Sequence, residues 1–143
     1  MDFLSRVLPE LRPVLSLFPS LELSEDTIAS ARQALFPPAP PSDEIRTSAR
    51  VIGGGDGQDM LVKVYEPADR SQELLPALLW IHGGGYVLGH PDQDDELCQT
   101  FSLTARCVVA SVDYRLAPEH RYPAAIEDCY AALKWLAASA EEL

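Results

Sequence analysis

The chain has 143 residues, of which 47% are hydrophobic, and its 22 acidic and 11 basic residues give a formal net charge of −11. This length and hydrophobic content suit one domain with a single core. Because a phosphate backbone would repel so acidic a chain, the charge argues against nucleic-acid binding. The three cysteines, Cys98, Cys107 and Cys129, lack paired spacing, which predicts reduced thiols in a cytoplasmic protein without a zinc site.

The N-terminal segment carries apolar residues at helical spacing, namely Phe3, Leu4, Val7, Leu8, Leu11, Val14, Leu15 and Phe18. Pro9 and Pro13 remove internal hydrogen bonds, so we expect a kinked helix or two short ones. Charged residues interrupt this stripe, which is unlike the core of a secretory signal, and no apolar run in the chain has membrane-spanning length. These features predict a cytoplasmic protein without a membrane span.

A second helix is predicted to follow Ser24 as its N-cap, with Ile28, Ala31 and Leu35 on one face. It must end near the proline-rich stretch 37–41, which is typical of a stiff, extended linker. The sequence therefore divides into residues 1–41, with two helical segments and a linker, and residues 42–143.

Beyond the linker the hydrophobic pattern changes to that of strands. Residues 45–52 and 60–65 predict a hairpin around the glycine-rich loop 53–59. This loop is not a dinucleotide fingerprint, because Gln58 stands where the last glycine belongs and no helix follows. Residues 77–81 and 107–112 are apolar on both faces, as in strands inside a sheet.

Two further helices are predicted, one over residues 94–105 and one opening at Pro123, a favoured first helical residue. The second helix has a predicted buried stripe of Ile126, Cys129, Tyr130, Leu133, Leu136 and Ala137. A hairpin followed by alternating strands and helices indicates an α/β fold.

The strand at 77–81 leads directly into His82, Gly83, Gly84, Gly85 and Tyr86. A buried strand that ends in three glycines leaves main-chain N–H groups free to face a reacting atom, which is how an oxyanion hole is built. A phosphate-binding turn or a plain tight loop would also account for three glycines alone. A second motif further along the chain adds specificity.

That second motif is VDYRLAPEH at residues 112–120, followed by YPAAIEDCYAAL at residues 122–133. Together with HGGGYVLG at residues 82–89, these stretches closely resemble the hormone-sensitive-lipase-like group of α/β-hydrolases, which includes many bacterial carboxylesterases. The resemblance extends from about residue 45 to the C-terminus, and residues 1–41 resemble the cap of that group less specifically. It implies the N-terminal part of an α/β-hydrolase sheet with N-terminal cap helices.

The resemblance also implies roles for residues 82–86, which we call the glycine turn. The main-chain N–H groups of Gly84 and Gly85 would bind the oxyanion, and Gly83 would shape the turn. His82 would brace the loop rather than serve as the general base, which this group draws from near the C-terminus. Tyr86 would line the pocket for a small-molecule ester, and no cofactor or metal is implied.

The catalytic triad of such an enzyme follows in the order serine, acid, histidine, and no Gly-x-Ser-x-Gly elbow occurs in this chain. Ser102, Ser111 and Ser139 fall within a predicted helix, strand and closing helix, where no sharp exposed turn presents a nucleophile. Nucleophile, acid and base are therefore expected beyond residue 143, and the 143-residue chain alone is expected to be inactive.

Several charged residues suggest chemistry that simpler structural roles explain. We expect Asp113 and Arg115 to form an ion pair that fixes the loop after the fourth strand, and Glu119 and His120 to belong to loop structure. Four residues could suggest a metal cluster: His90, Asp92, Asp94 and Asp95. A solvated loop and a helix N-terminus explain these acids without a metal.

Two alternative functions stay open. The chain could be part of a non-catalytic small-molecule-binding protein on the same scaffold, as in plant gibberellin receptors, or one half of a split hydrolase. In this fold the strand at 77–81 lies inside the sheet, so without a neighbour its edge would invite self-association or a partner chain.

Overall fold

A computed structural model of the chain describes residues 3–15, 23–24, 26–34, 38–71 and 74–143. The predictions for Phe18 and Leu35 lie outside these residues. No helix in the described ranges is long and apolar enough to cross a membrane.

The N-terminal segment forms short helical pieces. Two 3-10 turns, Phe3–Arg6 and Pro9–Leu11, precede α1, Arg12–Leu15. Helix α2 covers Ile28–Ala34. The predicted N-cap is only partly right, because the main-chain carbonyl of Ser24, rather than its hydroxyl, accepts from the amides that open this helix.

Four strands form one mixed sheet: β1, Ile45–Gly53; β2, Asp59–Pro67; β3, Ala77–Ile81; and β4, Val108–Val112. Their order across the sheet is β1-β2-β4-β3. The β1–β2 hairpin is antiparallel, β2 and β4 are antiparallel, and β3 and β4 are parallel. Within the described residues β3 therefore has one paired edge and one open edge.

The sheet is buried between two helices on opposite faces. Helix α3, Asp95–Thr104, covers the face that carries Tyr65 and Val109, and α4, Ala124–Ala138, covers the face that carries Val62 and Ala110. All five residues of β4 are buried, which agrees with its apolar sequence. In β3 the three central residues are only partly buried, because this strand lies at the sheet edge.

The predicted buried stripe of α4 is largely wrong. Its buried residues are Ala125, Asp128, Ala132 and Leu136, whereas Ile126, Tyr130 and Leu133 are each about half exposed or more. Alanines let the helix axis approach the sheet closely, so the larger apolar side chains are directed away from it. Of the predicted stripe only Leu136 is buried, and Cys129 packs against the core while partly buried.

A buried carboxylate joins α4 to two loops. Asp128 accepts hydrogen bonds from the side chain of Arg115 at 2.8 and 2.9 Å, and from the main-chain amides of Arg115 and Gly55 at 3.1 and 2.8 Å. Arg115 also contacts Asp56 at 2.6 Å. The predicted Asp113–Arg115 pair is therefore wrong, because the partner comes from the following helix.

Close main-chain approach explains the glycine in this junction. A Cβ on Gly55 would lie 2.4 Å from the Cβ of Glu127, so any side chain there would force the hairpin loop away from α4. Burial opposes ionisation of Asp128, but the bonds from Arg115 and from the two amides outweigh it and hold the pKa of Asp128 below its usual 3.8.

We expect Asp128→Asn to lower the free energy of unfolding by about 3 kcal/mol, because it leaves the guanidinium of Arg115 without its buried counter-charge. The native pKa of Asp128 is depressed, so its contribution is present above about pH 3.8 and disappears as the pH falls through the lower native value. Urea denaturation at neutral pH and below pH 4 measures both effects.

The matched control is Asp69→Asn, which removes a carboxylate 73% exposed in an ion pair with Arg106. An exposed pair contributes about 1 kcal/mol or less, so this variant is expected to unfold almost like the parent chain. Equal losses in the two variants would contradict a special role for Asp128.

Candidate active site

The glycine turn connects β3 to α3 and has a backbone that side chains rarely adopt. Gly84 has φ +133°, Gly85 +63° and Tyr86 +65°. A Cβ on Gly84 would lie 2.0 Å from the main-chain oxygen of Leu88, so glycine is required there by both contact and conformation. A Cβ on Gly85 would meet no atom within 4 Å beyond its chain neighbours, so only the conformation favours glycine at that position.

Main-chain hydrogen bonds of the turn use its carbonyl groups. The oxygen of Gly84 accepts from the amides of Val87 and Leu88, at 3.2 and 2.9 Å. Within the described part of the chain, the amide N–H groups of Gly84 and Gly85 donate to no protein acceptor. Both glycines are exposed, so the turn presents two adjacent donors that a ligand oxygen can accept from.

His82 is buried at the base of the turn, with 3% of its surface exposed. Its ring stacks on Tyr114, with 4.2 Å between ring centroids, and its Nδ1 lies 2.9 Å from the oxygen of Gly83. A carbonyl only accepts, so Nδ1 carries the proton, and Nε2 has no partner among the described residues. Burial lowers the pKa of His82 below 6.5, which the bond to Gly83 only partly offsets.

Three residues that support this turn were not singled out from the sequence. Tyr114 donates its hydroxyl to the oxygen of His82 at 2.8 Å, and Gln93 donates its side-chain amide to the oxygen of Gly83 at 3.3 Å. Gly89 has φ +104°, and a Cβ there would lie 2.3 Å from Nδ1 of His82. The fourth glycine of HGGGYVLG was the signal that could have pointed to this packing.

An apolar cavity of about 340 Å³ lies beside the turn. Tyr86 forms part of its wall, together with Tyr122 and Ile126, and His120 is the polar side chain in its lining. Tyr86 is 58% exposed, and its ring meets Tyr114 edge-on at 6.4 Å. Tyr86 thus contributes both to the glycine turn and to the wall of this cavity, and its role in binding a substrate stays a prediction.

The acidic side chains before α3 already accept hydrogen bonds from other residues of the protein. Lys63 binds Asp92 at 2.7 Å and Asp95 at 2.6 Å, and the indole of Trp80 donates to Asp94 at 2.8 Å. Asp95 is only 3% exposed, so the expectation of a solvated acid is wrong at that position. In the ranges that the structure describes, no group of three or more His, Cys, Asp or Glu residues is arranged to hold a metal ion.

The remaining candidates also have structural partners. Nε2 of His90 lies 3.8 Å from Asp113, whose pKa is raised by burial, with His90 opposing the shift. Glu119 pairs with Arg32 of α2 at 2.8 Å rather than with its neighbour His120.

Three serines were considered as nucleophiles from the sequence, and the structure gives each a position. Ser102 and Ser111 have no exposed surface, and the hydroxyl of Ser102 donates to the oxygen of Cys107 at 2.9 Å. Ser139 ends α4 as its C-cap. A buried hydroxyl cannot reach a substrate in the cavity.

The sheet order, the glycine turn after a parallel strand and the helices on both faces define an α/β-hydrolase core. Residues 78–143 match the family described as the alpha/beta hydrolase fold. The chain belongs to this family.

Several of the proteins that this chain resembles are named esterases. Carboxylesterase NlhH of Mycobacterium tuberculosis is 38% identical over 138 residues, which cover 94% of this chain and 43% of that protein. Esterase LipI of the same organism is 40% identical over 131 residues, covering 90% and 41%. The structure of an esterase from Pyrobaculum calidifontis matches with a TM-score of 0.74 at 34% identity, over 96% of this chain and 44% of that one. The chain thus spans less than half the length of these relatives.

We expect nuclear magnetic resonance of the imidazole nitrogens to show His82 as the neutral Nδ1–H tautomer, with a titration midpoint below 6.5. The reason is that burial disfavours the charged ring and the oxygen of Gly83 requires a donor. Because the native pKa is depressed, the stabilising contribution of neutral His82 is lost as the pH falls through that midpoint.

The control is Tyr114→Phe, which removes the bond to the oxygen of His82 but keeps an aromatic ring for stacking. This variant is expected to retain the same tautomer. An Nε2–H tautomer in the parent chain, or a midpoint above 6.5, would contradict the geometry described for the turn.

Proposed function

We propose that this chain supplies the oxyanion hole of a carboxylic ester hydrolase of the hormone-sensitive-lipase-like group. The amides of Gly84 and Gly85 bind the oxyanion, and nucleophile, acid and base lie outside these 143 residues. The observation that carries this proposal is a pair of adjacent glycine amides for which the described part of the chain offers no acceptor. The esterase names of the relatives support it.

The chemistry follows from where charge develops. When a nucleophile attacks an ester carbonyl, the carbonyl oxygen gains negative charge and accepts hydrogen bonds more strongly than in the ester. Preorganised N–H donors stabilise that state over the ground state, and the loss of one such donor costs about 10²- to 10³-fold in kcat. Gly84 and Gly85 adopt positive φ, and their two N–H donors have no acceptor among the described residues, so they are available to a substrate oxygen.

His82 contributes by bracing. Its neutral ring fills the space under the turn, and its Nδ1–H holds the oxygen of Gly83, which sets the direction of the next peptide units. The missing side chain of Gly89 leaves room for this ring, since a Cβ there would lie 2.3 Å from Nδ1 of His82. With only 3% of its surface exposed, His82 is poorly placed to exchange protons with a substrate.

Tyr86 and the apolar cavity account for the substrate class. A volume of about 340 Å³ is at the lower end of the range for small-molecule sites, which suits an ester with a short or medium acyl chain. The lining is mainly apolar, so the acyl or alcohol group is held by burial of hydrocarbon.

A second candidate is a non-catalytic binding protein on the same scaffold. The apolar cavity favours it, since such a cavity binds a small molecule with or without a nucleophile. A degraded Gly-x-Ser-x-Gly elbow in the continuing gene would support this candidate, and an intact elbow would support the enzyme.

We also propose that the open edge of β3 pairs with further sheet from the same chain, from a partner or from a second copy. Ile81 at the end of this strand is 49% exposed, and Tyr130 and Leu133 on α4 are also exposed. An apolar strand with unpaired N–H and C=O groups invites another strand.

We expect Gly84→Ala to lower kcat about 10²- to 10³-fold. The variant is made in the longest product of the source gene that has esterase activity. The added Cβ would collide with the oxygen of Leu88, so the turn must move and the donors lose their positions. The hydrolysis of p-nitrophenyl acetate, followed at saturating substrate, measures this loss.

The matched control is Gly53→Ala, at the end of β1, where a Cβ meets no atom within 4 Å and φ is unexceptional. It is expected to retain parental kcat. A Gly84→Ala variant that turns over at the parental rate would refute the oxyanion role.

We expect the purified 143-residue chain to hydrolyse p-nitrophenyl acetate no faster than buffer, because Ser102 and Ser111 are buried and unactivated. Turnover that disappears in Ser102→Ala or Ser111→Ala would contradict this.

Sequencing the source gene past the codon for Leu143 gives the complementary result. An open frame with a Gly-x-Ser-x-Gly elbow supports a single-chain enzyme, and a stop codon combined with a co-purifying partner supports a split hydrolase.

A further inference from the structure

One side chain from the N-terminal segment contacts the exit of the glycine turn, by which we mean Val87 and Leu88, the residues that follow Tyr86. Arg32 of α2 donates from Nε to the oxygen of Val87 at 2.9 Å and from Nη2 to the oxygen of Ala117 at 2.7 Å. Its Nη1 and Nη2 also bind the two carboxylate oxygens of Glu119, at 2.8 and 3.0 Å. The side chain is 23% exposed. Arg32 therefore joins three segments that are far apart in sequence.

Only an arginine can make this set of contacts at once. Its planar guanidinium offers five donors in fixed directions, which match a carboxylate edge on one side and separate carbonyl oxygens on the others. A lysine is a single compact charge and cannot span them. The hydrogen bond from Arg32 lowers the pKa of Glu119 to about 2, so Glu119 stays ionised across the physiological range and holds the guanidinium in place.

The contacts of Arg32 close a ring with the turn. The amide of Val87 donates to the oxygen of Gly84 at 3.2 Å, while the oxygen of Tyr86 accepts from the amide of Ala117 at 2.8 Å. Arg32 donates hydrogen bonds to the main-chain oxygens of Val87 and Ala117 and so connects the two segments. Movement at the exit of the turn therefore requires breaking bonds both to Arg32 and within the turn.

We propose that Arg32 is a positioning residue that holds the exit of the glycine turn, and with it the backbone conformation of Gly84 and Gly85. The consequence for catalysis rests on the oxyanion role proposed above, whereas the positioning itself does not. Helix α2 has seven residues, too few to be stable without tertiary contacts, and Arg32 supplies some of these contacts together with the buried Ile28 and Ala31.

Hydrogen exchange of single amides in the 143-residue chain, measured by nuclear magnetic resonance, tests the positioning. In Arg32→Ala we expect the amides of Leu88 and Ala117 to exchange at least tenfold faster, while amides in β2 and β4 keep parental rates. Arg32→Lys should exchange almost as fast as Arg32→Ala. Glu119→Gln, which keeps both carbonyl contacts of Arg32, should give a smaller rise at the same amides.

The matched control is Arg46→Ala, which removes an ion pair with Glu66 on the β1–β2 hairpin. It should leave Leu88 and Ala117 at parental rates. Unchanged exchange at these amides in Arg32→Ala would overturn the inference. A uniform rise that includes β2 and β4 would also overturn it, because Arg32 would then stabilise only the whole fold. If Arg32→Ala does not fold, parental exchange at Leu88 and Ala117 in Glu119→Gln overturns it.

Kinetics separate this inference from the proposed function. In the esterase-active gene product, Arg32→Ala should lower kcat about tenfold with little change in KM, because displaced donors affect the transition state more than the bound ester. Faster local exchange with unchanged kcat would keep the positioning and refute the oxyanion role of the turn. Unchanged exchange refutes the positioning whatever the kinetics show.

Discussion

The contact between Gly84 and the main chain of Leu88 is the constraint on which the site depends. A Cβ at residue 84 would lie 2.0 Å from the oxygen of Leu88, so the chain can reverse direction here only with glycine. The reversal uses the carbonyl of Gly84 for the amides of Val87 and Leu88, and no described residue accepts from the amides of Gly84 and Gly85. One steric requirement thus produces both the shape of the turn and its chemistry.

The turn is held from two sides. His82 and Tyr114 stack beneath it, and Arg32 holds its exit from the N-terminal segment. The loop after β4 contributes Tyr114 to the stacking and Ala117 to the contacts of Arg32. The Arg115–Asp128 pair connects that same loop to α4 and to the hairpin. Asp128 has no exposed side-chain surface, so removing one partner of this pair would leave a poorly solvated charge and would loosen the loop.

Local patterns predicted the strands and the glycine turn well. The four strands predicted at 45–52, 60–65, 77–81 and 107–112 are confirmed to within two residues at each end. Ion-pair partners were predicted poorly. Arg115 pairs with Asp128 rather than Asp113, and Glu119 pairs with Arg32, 87 positions away. Sequence separation does not predict such pairs, because tertiary packing decides which charged groups lie close together.

The sequence by itself determined the α/β class, the place of the turn and the need for glycine in it, since these depend on residue type and on neighbours along the chain. Only the tertiary structure decided which face of α4 is buried and which acids are paired. Both depend on how closely elements distant in sequence approach one another. Ile126 and Tyr130 resemble core residues in the sequence but face outward, because Ala125 and Ala132 allow the closer contact with the sheet.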